Sequence, residues 1–270
     1  MKTKDSKINK QIDKFFDKKD KIRELLCKKE VFIFLDYDGT LTPIVSTPDL
    51  AILSDDMKAI LKKLVSKYTV SIISGRSTDD VRSKVNIGNI YYAGSHGFEI
   101  IQPDGKKIIN EEANRLRKIK NKAQEELKKQ TRHIKGALIE DVKYTASCHY
   151  RLVPEEHVAE FKEIVKRIVA NYPELKLTEG KKVLEVRPNI DWDKGKAVNW
   201  ILDALGYDPA NNSVIYVGDD RTDEDAFAVI KEYGFGILVA EEVRPTEAKY
   251  KVKTVNKVKD LLSYFVELAS

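Results

Sequence analysis

Three short apolar runs, each ending abruptly in polar residues, constrain this chain more than any other feature. Val31–Leu35 runs into Asp36, Val70–Ile73 into Ser74, and Val214–Val217 into Gly218-Asp219-Asp220. Such runs, rich in Val and Ile and lacking strict alternation, belong to strands covered on both faces, as in the middle of a parallel sheet. Helical segments fit between them. One is expected at 54–67 with Ser54 as N-cap and one at 77–85 with Ser77 as cap and Asp80 three residues on; others are expected at 194–205 and 223–232. The fold class is therefore α/β with a parallel-sheet core. Ligands of such sheets bind beyond the carboxyl ends of the strands. Asp36, Asp38, Ser74, Asp219 and Asp220 all fall there, so distant segments converge on one site.

Residues 109–188 break this pattern. A charged helix near 111–130 leads into strands at 137–141 and 144–152, a helix at 155–170 and a strand at 182–187. These strands alternate as half-exposed antiparallel strands do, which predicts a smaller α/β cap inserted over the open end of the sheet. The core then comprises 30–108 and 189–270. On 145–151 one face carries Thr145, Ser147, His149 and Arg151; on 181–187 one face carries Lys181, Val183, Glu185 and Arg187. The more apolar opposite faces can hold the cap helices. A polar face of this composition suits a ligand rich in hydroxyls.

The chain has 48 Lys and Arg against 43 Asp and Glu, and residues 1–30 hold eleven against six, which accounts for the whole net charge of +5. A neutral body with a basic arm is not a nucleic-acid footprint. Ile8, Ile12, Phe15, Phe16, Ile22, Leu25 and Leu26 recur in that arm at helical spacing, so residues 1–29 are predicted to form an amphipathic helix docked on the body. No apolar stretch is long enough to span a membrane and the N-terminus lacks a secretory signal, so a cytoplasmic protein is expected. Cys27 and Cys148, without ligand-spaced neighbours, indicate neither a disulfide framework nor a zinc site.

The residues at the strand ends suit phosphate monoester hydrolysis, in which a catalyst must neutralise charge, align a nucleophile and protonate the leaving oxygen. Asp36 can attack phosphorus covalently. Asp38 can act as general acid and then general base. Gly39 and Thr40 begin a turn whose N–H groups could cradle phosphate. Ser74 offers a hydroxyl and Lys194 a positive charge. Carboxylates repel each other and the substrate, so a hard divalent cation, Mg²⁺, is expected on Asp36, Asp38 and Asp219.

Asp36-Tyr37-Asp38-Gly39-Thr40-Leu41-Thr42, Ser74-Gly75-Arg76, Asp193-Lys194-Gly195 and Gly218-Asp219-Asp220-Arg221-Thr222-Asp223 resemble, in order, the four motifs of the haloacid dehalogenase superfamily. That resemblance implies an aspartyl-phosphate route, Mg²⁺, a Rossmann-like core and phosphate contacts at Gly39, Ser74, Gly75 and Lys194, with Asp220 and Asp223 supporting the metal site. Further segments are similar to trehalose-phosphate phosphatases: Gly94-Ser95-His96-Gly97 with Glu99, Glu140, His149-Tyr150-Arg151, Lys181 with Glu185, and Asp225 and Phe227 beyond the last motif. The likeness covers residue 30 to the C-terminus and excludes the arm. It implies trehalose 6-phosphate as substrate, held through Arg151, Lys181, Glu185, Glu140 and His96.

Two alternatives stand beside this reading. One is a related sugar-phosphate phosphatase, for sucrose phosphate or mannosyl-3-phosphoglycerate. The other is a phosphatase-like regulatory module, which would be expected to have lost a nucleophile, acid or metal ligand; Asp36, Asp38, Lys194 and Asp219 are all intact. His133 and His157 are expected on the surface, Trp192 and Trp200 in packing, and Arg76 either on a carboxylate or on substrate.

Overall fold

The computed structural model describes residues 13–26, 30–242 and 244–269. Along the chain lie β1 (Asp13–Lys14), α1 (Lys19–Leu26), β2 (Glu30–Leu35), α2 (Asp55–Val65), β3 (Thr69–Ile73), α3 (Thr78–Val85), β4 (Tyr91–Gly94), β5 (Glu99–Ile101) and β6 (Lys107–Ile109). There follow α4 (Glu111–Thr131), β7 (Leu138–Val142), β8 (Thr145–His149), α5 (Glu155–Val169), β9 (Leu175–Gly180) and β10 (Val183–Pro188). The chain then returns through α6 (Lys194–Ala204), β11 (Asn212–Gly218), α7 (Asp223–Ile230), β12 (Gly234–Val239), β13 (Tyr250–Val252) and α8 (Val255–Leu268).

These strands form a nine-stranded sheet, in the order β1-β13-β12-β11-β2-β3-β4-β5-β6, and a four-stranded sheet, in the order β7-β8-β10-β9. The large sheet is parallel from β1 through β4, and β5 and β6 close its edge antiparallel. One face packs Val31, Ile33 and Leu35 against α2 and α8, and the other packs Phe32, Phe34 and Tyr216 against α6 and α7. Burial on both faces is why the three runs lack a strict polar–apolar alternation. Chain order reverses between β2 and β11, whose register pairs Leu35 with Val217 and delivers Asp36 and Asp219 side by side. That reversal is the crevice where open α/β sheets take their ligands.

The helix starts follow their caps. Ser54 accepts from Met57 N–H and Ser77 from Asp80 N–H. The small sheet is wholly antiparallel and uses its apolar face as expected: Ala146, Cys148, Leu184 and Val186 pack beneath Phe161, Val165 and Ile168. Its fourth strand, β9, escapes the sequence reading.

Two expectations need correction. The arm is not one helix: Asp13 and Lys14 pair in parallel with Tyr250 and Lys251, Phe15–Lys18 form a 3-10 turn, and only α1 is α-helical. Phe15, Ile22 and Leu26 do dock into the core, so apolar spacing reported burial but not conformation. Ile8, Ile12, Cys27 and the side chain of Leu25 fall outside the described residues. Secondly, Arg151 and Lys181 do not project from strand faces. β8 stops at His149, and Lys181-Lys182 is the turn between β9 and β10, with Lys182 at φ 65°. Arg151 Nη2 donates to the Lys181 carbonyl at 2.6 Å, which ties the two turns together at the mouth of the cleft. No helix among the described residues is long and apolar enough to cross a membrane.

Candidate active site

The floor of the cleft is a buried charge cluster. Lys194, first residue of α6 and 3% exposed, donates to Asp36 Oδ1 at 2.8 Å and to Asp223 Oδ1 at 2.7 Å. Asp223 also takes the Tyr216 hydroxyl at 2.8 Å and the N–H groups of Asp219 and Asp220 at 2.9 Å each. Four donors occupy essentially all the acceptor sites of one carboxylate. Burial opposes ionisation of Asp223, but Lys194 and these hydrogen bonds outweigh it and hold its pKa below the ordinary carboxylate range.

Asp36 differs. Burial raises its pKa well above the usual value despite Lys194, and Asp223 and Asp219 add to the rise. Asp219 is likewise pushed up to about 7, by burial first and by Asp223 and Asp220, while Lys181 pulls the other way. Oxygen atoms of Asp36, Asp219 and Asp223 lie within 4.8 Å of one another. Three converging carboxylates with one fully shared lysine between two of them form a site short of positive charge.

Several sequence-predicted residues sit differently from expectation. Asp38, expected among the metal ligands, is turned onto Arg76, which grips it through Nε at 2.7 Å and Nη2 at 2.8 Å. Arg76 also holds Asp80 at 2.7 Å and the Pro48 carbonyl at 2.9 Å, so it makes the carboxylate contacts that were one of its two expected roles, while still lining the cleft. Asp223 takes the third place in the acidic cluster. Gly39 does not present its N–H to the cleft; it donates to the Thr42 carbonyl at 2.7 Å. Glycine is needed there because φ is +83° and a Cβ would strike the Asp219 carboxylate. Ser74 is 1% exposed and its Oγ accepts from Arg76 N–H at 3.1 Å, below the cleft wall rather than on it. Gly75 lines the cleft beside His96 and Glu185.

The opposite wall comes from the small sheet. Glu140, Ser147 and Glu185 form one cross-strand row on β7, β8 and β10, and all three line the same cleft as Asp36, Asp38, Asp219, Asp220, Arg151 and Lys181. Glu140 meets His149 Nε2 at 2.8 Å. Lys181 Nζ donates to Asp219 Oδ2. Glu185 is held at a pKa of about 2: burial favours its neutral form, and His96, Arg187 and Lys194 outweigh that. His96 is buried, with its pKa lowered chiefly by burial, and its Nε2 lies 2.8 Å from Glu185 Oε2. Both ring nitrogens of His96 are buried, and the Glu185 carboxylate is the charged group they face.

Sequence reading missed the third wall. Ile44, Val45, Ser46, Thr47 and Pro48 also line the cleft, and Ile44 is 41% exposed. No motif marks that segment; its only signal is a run of apolar and hydroxyl residues directly after the Asp-rich turn.

The fold is that of haloacid dehalogenase-like hydrolases: a structure of one from Bacteroides thetaiotaomicron superposes with a TM-score of 0.62, covering 88% of this chain and all of that one at 16% identity. The structure of the C-terminal domain of trehalose-6-phosphate phosphatase from C. albicans covers 97% of this chain and 99% of its own, with a TM-score of 0.81 and 24% identity. In sequence, the trehalose-phosphatase family profile matches residues 34–256. Trehalose-phosphate phosphatase B of Arabidopsis thaliana is 42% identical over 250 residues, 88% of this chain and 67% of that protein. The chain belongs to the trehalose-phosphatase family.

Proposed function

We propose that this chain hydrolyses trehalose 6-phosphate to trehalose and phosphate through an aspartyl-phosphate on Asp36. One observation carries the reading: a single cleft has Asp36, Asp219 and Lys194 on its floor and Glu140, Glu185, Arg151 and Lys181 across from them. The floor suits a phosphoryl group and the wall suits sugar hydroxyls, which are the two halves of this substrate. Asp36 attacks phosphorus; the bond from phosphorus to the sugar oxygen breaks, and Asp38 protonates that oxygen. Asp38 then takes a proton from water, which attacks phosphorus and frees phosphate and Asp36. Arg76 holds both Asp38 oxygens in this structure, so Asp38 releases one of these contacts when it carries the proton. Lys194 orients Asp36 and offsets charge at the floor.

The donor set fits a hard divalent cation. Asp36 and Asp219 are the carboxylates of the cluster whose pKa is raised, burial being the main cause and not outweighed by a partner as it is at Asp223, and hard oxygen ligands of this kind suit Mg²⁺. Asp223, with its acceptor sites filled, supports them by holding the Asp219 and Asp220 amides. When bound, Mg²⁺ supplies charge neutralisation of the phosphoryl oxygens. A cytoplasmic setting suits Cys148, a buried free thiol whose pKa burial raises to about 12.

A phosphate-release assay across trehalose, sucrose, glucose and mannosyl phosphates, with Mg²⁺ and with chelator, tests the function. Trehalose 6-phosphate should be preferred, and turnover should vanish with chelator and return with Mg²⁺. Preference for another sugar phosphate, or undiminished metal-free turnover, contradicts the reading.

The sugar half is tested separately. Glu185→Ala should cost about 1–3 kcal/mol in kcat/KM for trehalose 6-phosphate, the range for losing hydrogen bonds to a charged group. Hydrolysis of p-nitrophenyl phosphate, which has no sugar, should change little. Equal losses on the two substrates would mean that Glu185 holds the fold and not the sugar.

A further inference from the structure

Outside the cleft, a polar cluster that joins the two sheets surrounds Glu99. This residue lies on β5 of the large sheet, and its side chain is 1% exposed. Its Oε1 accepts from Thr78 Oγ1, and its Oε2 from Lys143 Nζ and, at 3.1 Å, from the Tyr144 hydroxyl. Lys107 Nζ stands 3.8 Å from Oε1. Burial opposes the charge, yet Lys143, Thr78 and Lys107 together keep its pKa below the usual value. Lys143 and Tyr144 are the two-residue turn between β7 and β8, with Lys143 at φ 67°. One residue earlier the Val142 carbonyl accepts from Ser95 Oγ at 2.7 Å. The Tyr144 ring packs on Phe98 at 6.5 Å.

The β4–β5 connection and the start of β5 thus grasp the tip of the β7–β8 hairpin from three positions, Ser95, Phe98 and Glu99. Ser95 and His96 take left-handed conformations, φ 48° and 57°, which non-glycine residues adopt only where the surroundings impose them. Two other polar contacts between the sheets, Lys181 with Asp219 and His96 with Glu185, are made by cleft residues that a ligand would also engage. The Glu99 cluster is independent of ligand. Glu140 lies two residues before Val142 and Ser147 three residues after Tyr144, both on the row that lines the cleft. At about 3.3 Å per residue the pin is within roughly 10 Å of that row.

We propose that Glu99 is a positioning residue: by pinning the Val142–Tyr144 turn it fixes the distance between the hydroxyl-binding row and Asp36, and so sets affinity for the sugar half without touching substrate. The proposal rests on the phosphatase reading above. Misplacement of binding groups by about 1 Å can cost as much as 10²-fold, so loss of the pin should be visible in KM.

The test uses Glu99→Gln, Lys143→Met and their combination in the full chain. Lys143 is 24% exposed, and Lys143→Met leaves Thr78, Tyr144 and Lys107 on Glu99, so it is the milder variant that decides the question should Glu99→Gln fail to fold. Each single variant should raise KM for trehalose 6-phosphate about tenfold with a smaller change in kcat, and kcat/KM for p-nitrophenyl phosphate should stay within about twofold. The double variant should be no worse than the worse single, because both remove one interaction. Amide hydrogen exchange should accelerate at residues 142–145 and remain unchanged in β2 and β11. Faster exchange with KM unchanged in Lys143→Met overturns the proposal, as does unchanged exchange or an equal loss on both substrates. If the wild type prefers a different sugar phosphate, the functional reading falls, and the same KM split measured on that substrate still decides the role of Glu99.

Discussion

Asp36→Asn should lower kcat for trehalose 6-phosphate by on the order of 10⁴-fold or more while the folded protein survives intact. Asn is nearly isosteric, and its carbonyl oxygen can still accept from Lys194 Nζ, which stands 2.8 Å from Asp36 Oδ1. What it lacks is a nucleophilic charge. The same charge is a liability to the metal-free fold. Asp36 has a folded pKa raised above its unfolded value, so the native state holds the proton more tightly and stability falls as pH rises through that interval. Ionising Asp36 in the metal-free fold therefore opposes folding, and replacing it by a group that is always neutral removes that opposition and the repulsion with Asp223 and Asp219. Chelated Asp36→Asn should melt no lower than chelated wild type. Phosphate release within tenfold of wild type would remove Asp36 as the nucleophile; a sharply lower melting temperature would show that the Asp36 charge stabilises the floor instead.

The strand-end carboxylates were legible because each follows an apolar run, and a parallel sheet brings the ends of its strands to one rim whatever lies between them. Asp36 and Asp219 sit 183 positions apart, yet their runs alone predict that they meet at one rim; that β2 and β11 are neighbours comes from the structure. The orientation of Asp38 was not legible, since it depends on Arg76, a partner 38 residues away that a motif reading treats as a separate element. The family resemblance named Arg151 and Lys181, but the strand period put them on a sheet face. The period holds only while the ladder continues, and both residues lie just past its end, in turns. Their side chains reach the cleft because Arg151 is fixed to the Lys181 carbonyl and Lys181 to Asp219. In the arm, Phe15 meets Phe16, Tyr250, Tyr264 and Phe265 edge-on, a pocket that tertiary packing builds and that no local propensity encodes. The Glu99 cluster was hidden for the same reason: its partners lie at 78, 143 and 144, and none carries a local signature.

Lys194→Met should destabilise the protein by about 3–5 kcal/mol, the cost of stripping the partner from a buried charge. Lys194 is the only cation within hydrogen-bond reach of Asp36 and Asp223 among the described residues, and all three are nearly or fully buried. Burial alone would lower the lysine pKa; Asp223 and Asp36 overcome it and raise the pKa well above the ordinary value. The ammonium therefore stays charged across the accessible pH range, and methionine of similar length would leave two carboxylates facing each other in a dry site. For a domain of this size, 1 kcal/mol shifts Tm by about 2–4 °C, so a fall of roughly 10 °C is expected, with phosphatase activity lost. Adding Asp36→Asn to Lys194→Met removes one uncompensated carboxylate and should restore part of the lost Tm while restoring no activity, which is the non-additivity expected of directly interacting groups. A single variant melting within about 2 °C of wild type would show that water or the Tyr216 hydroxyl satisfies the pair, and that Lys194 serves substrate charge alone. Losses that simply add in the double variant would show that Asp36 is stabilised independently of Lys194, leaving Asp223 as the carboxylate for which the lysine is buried.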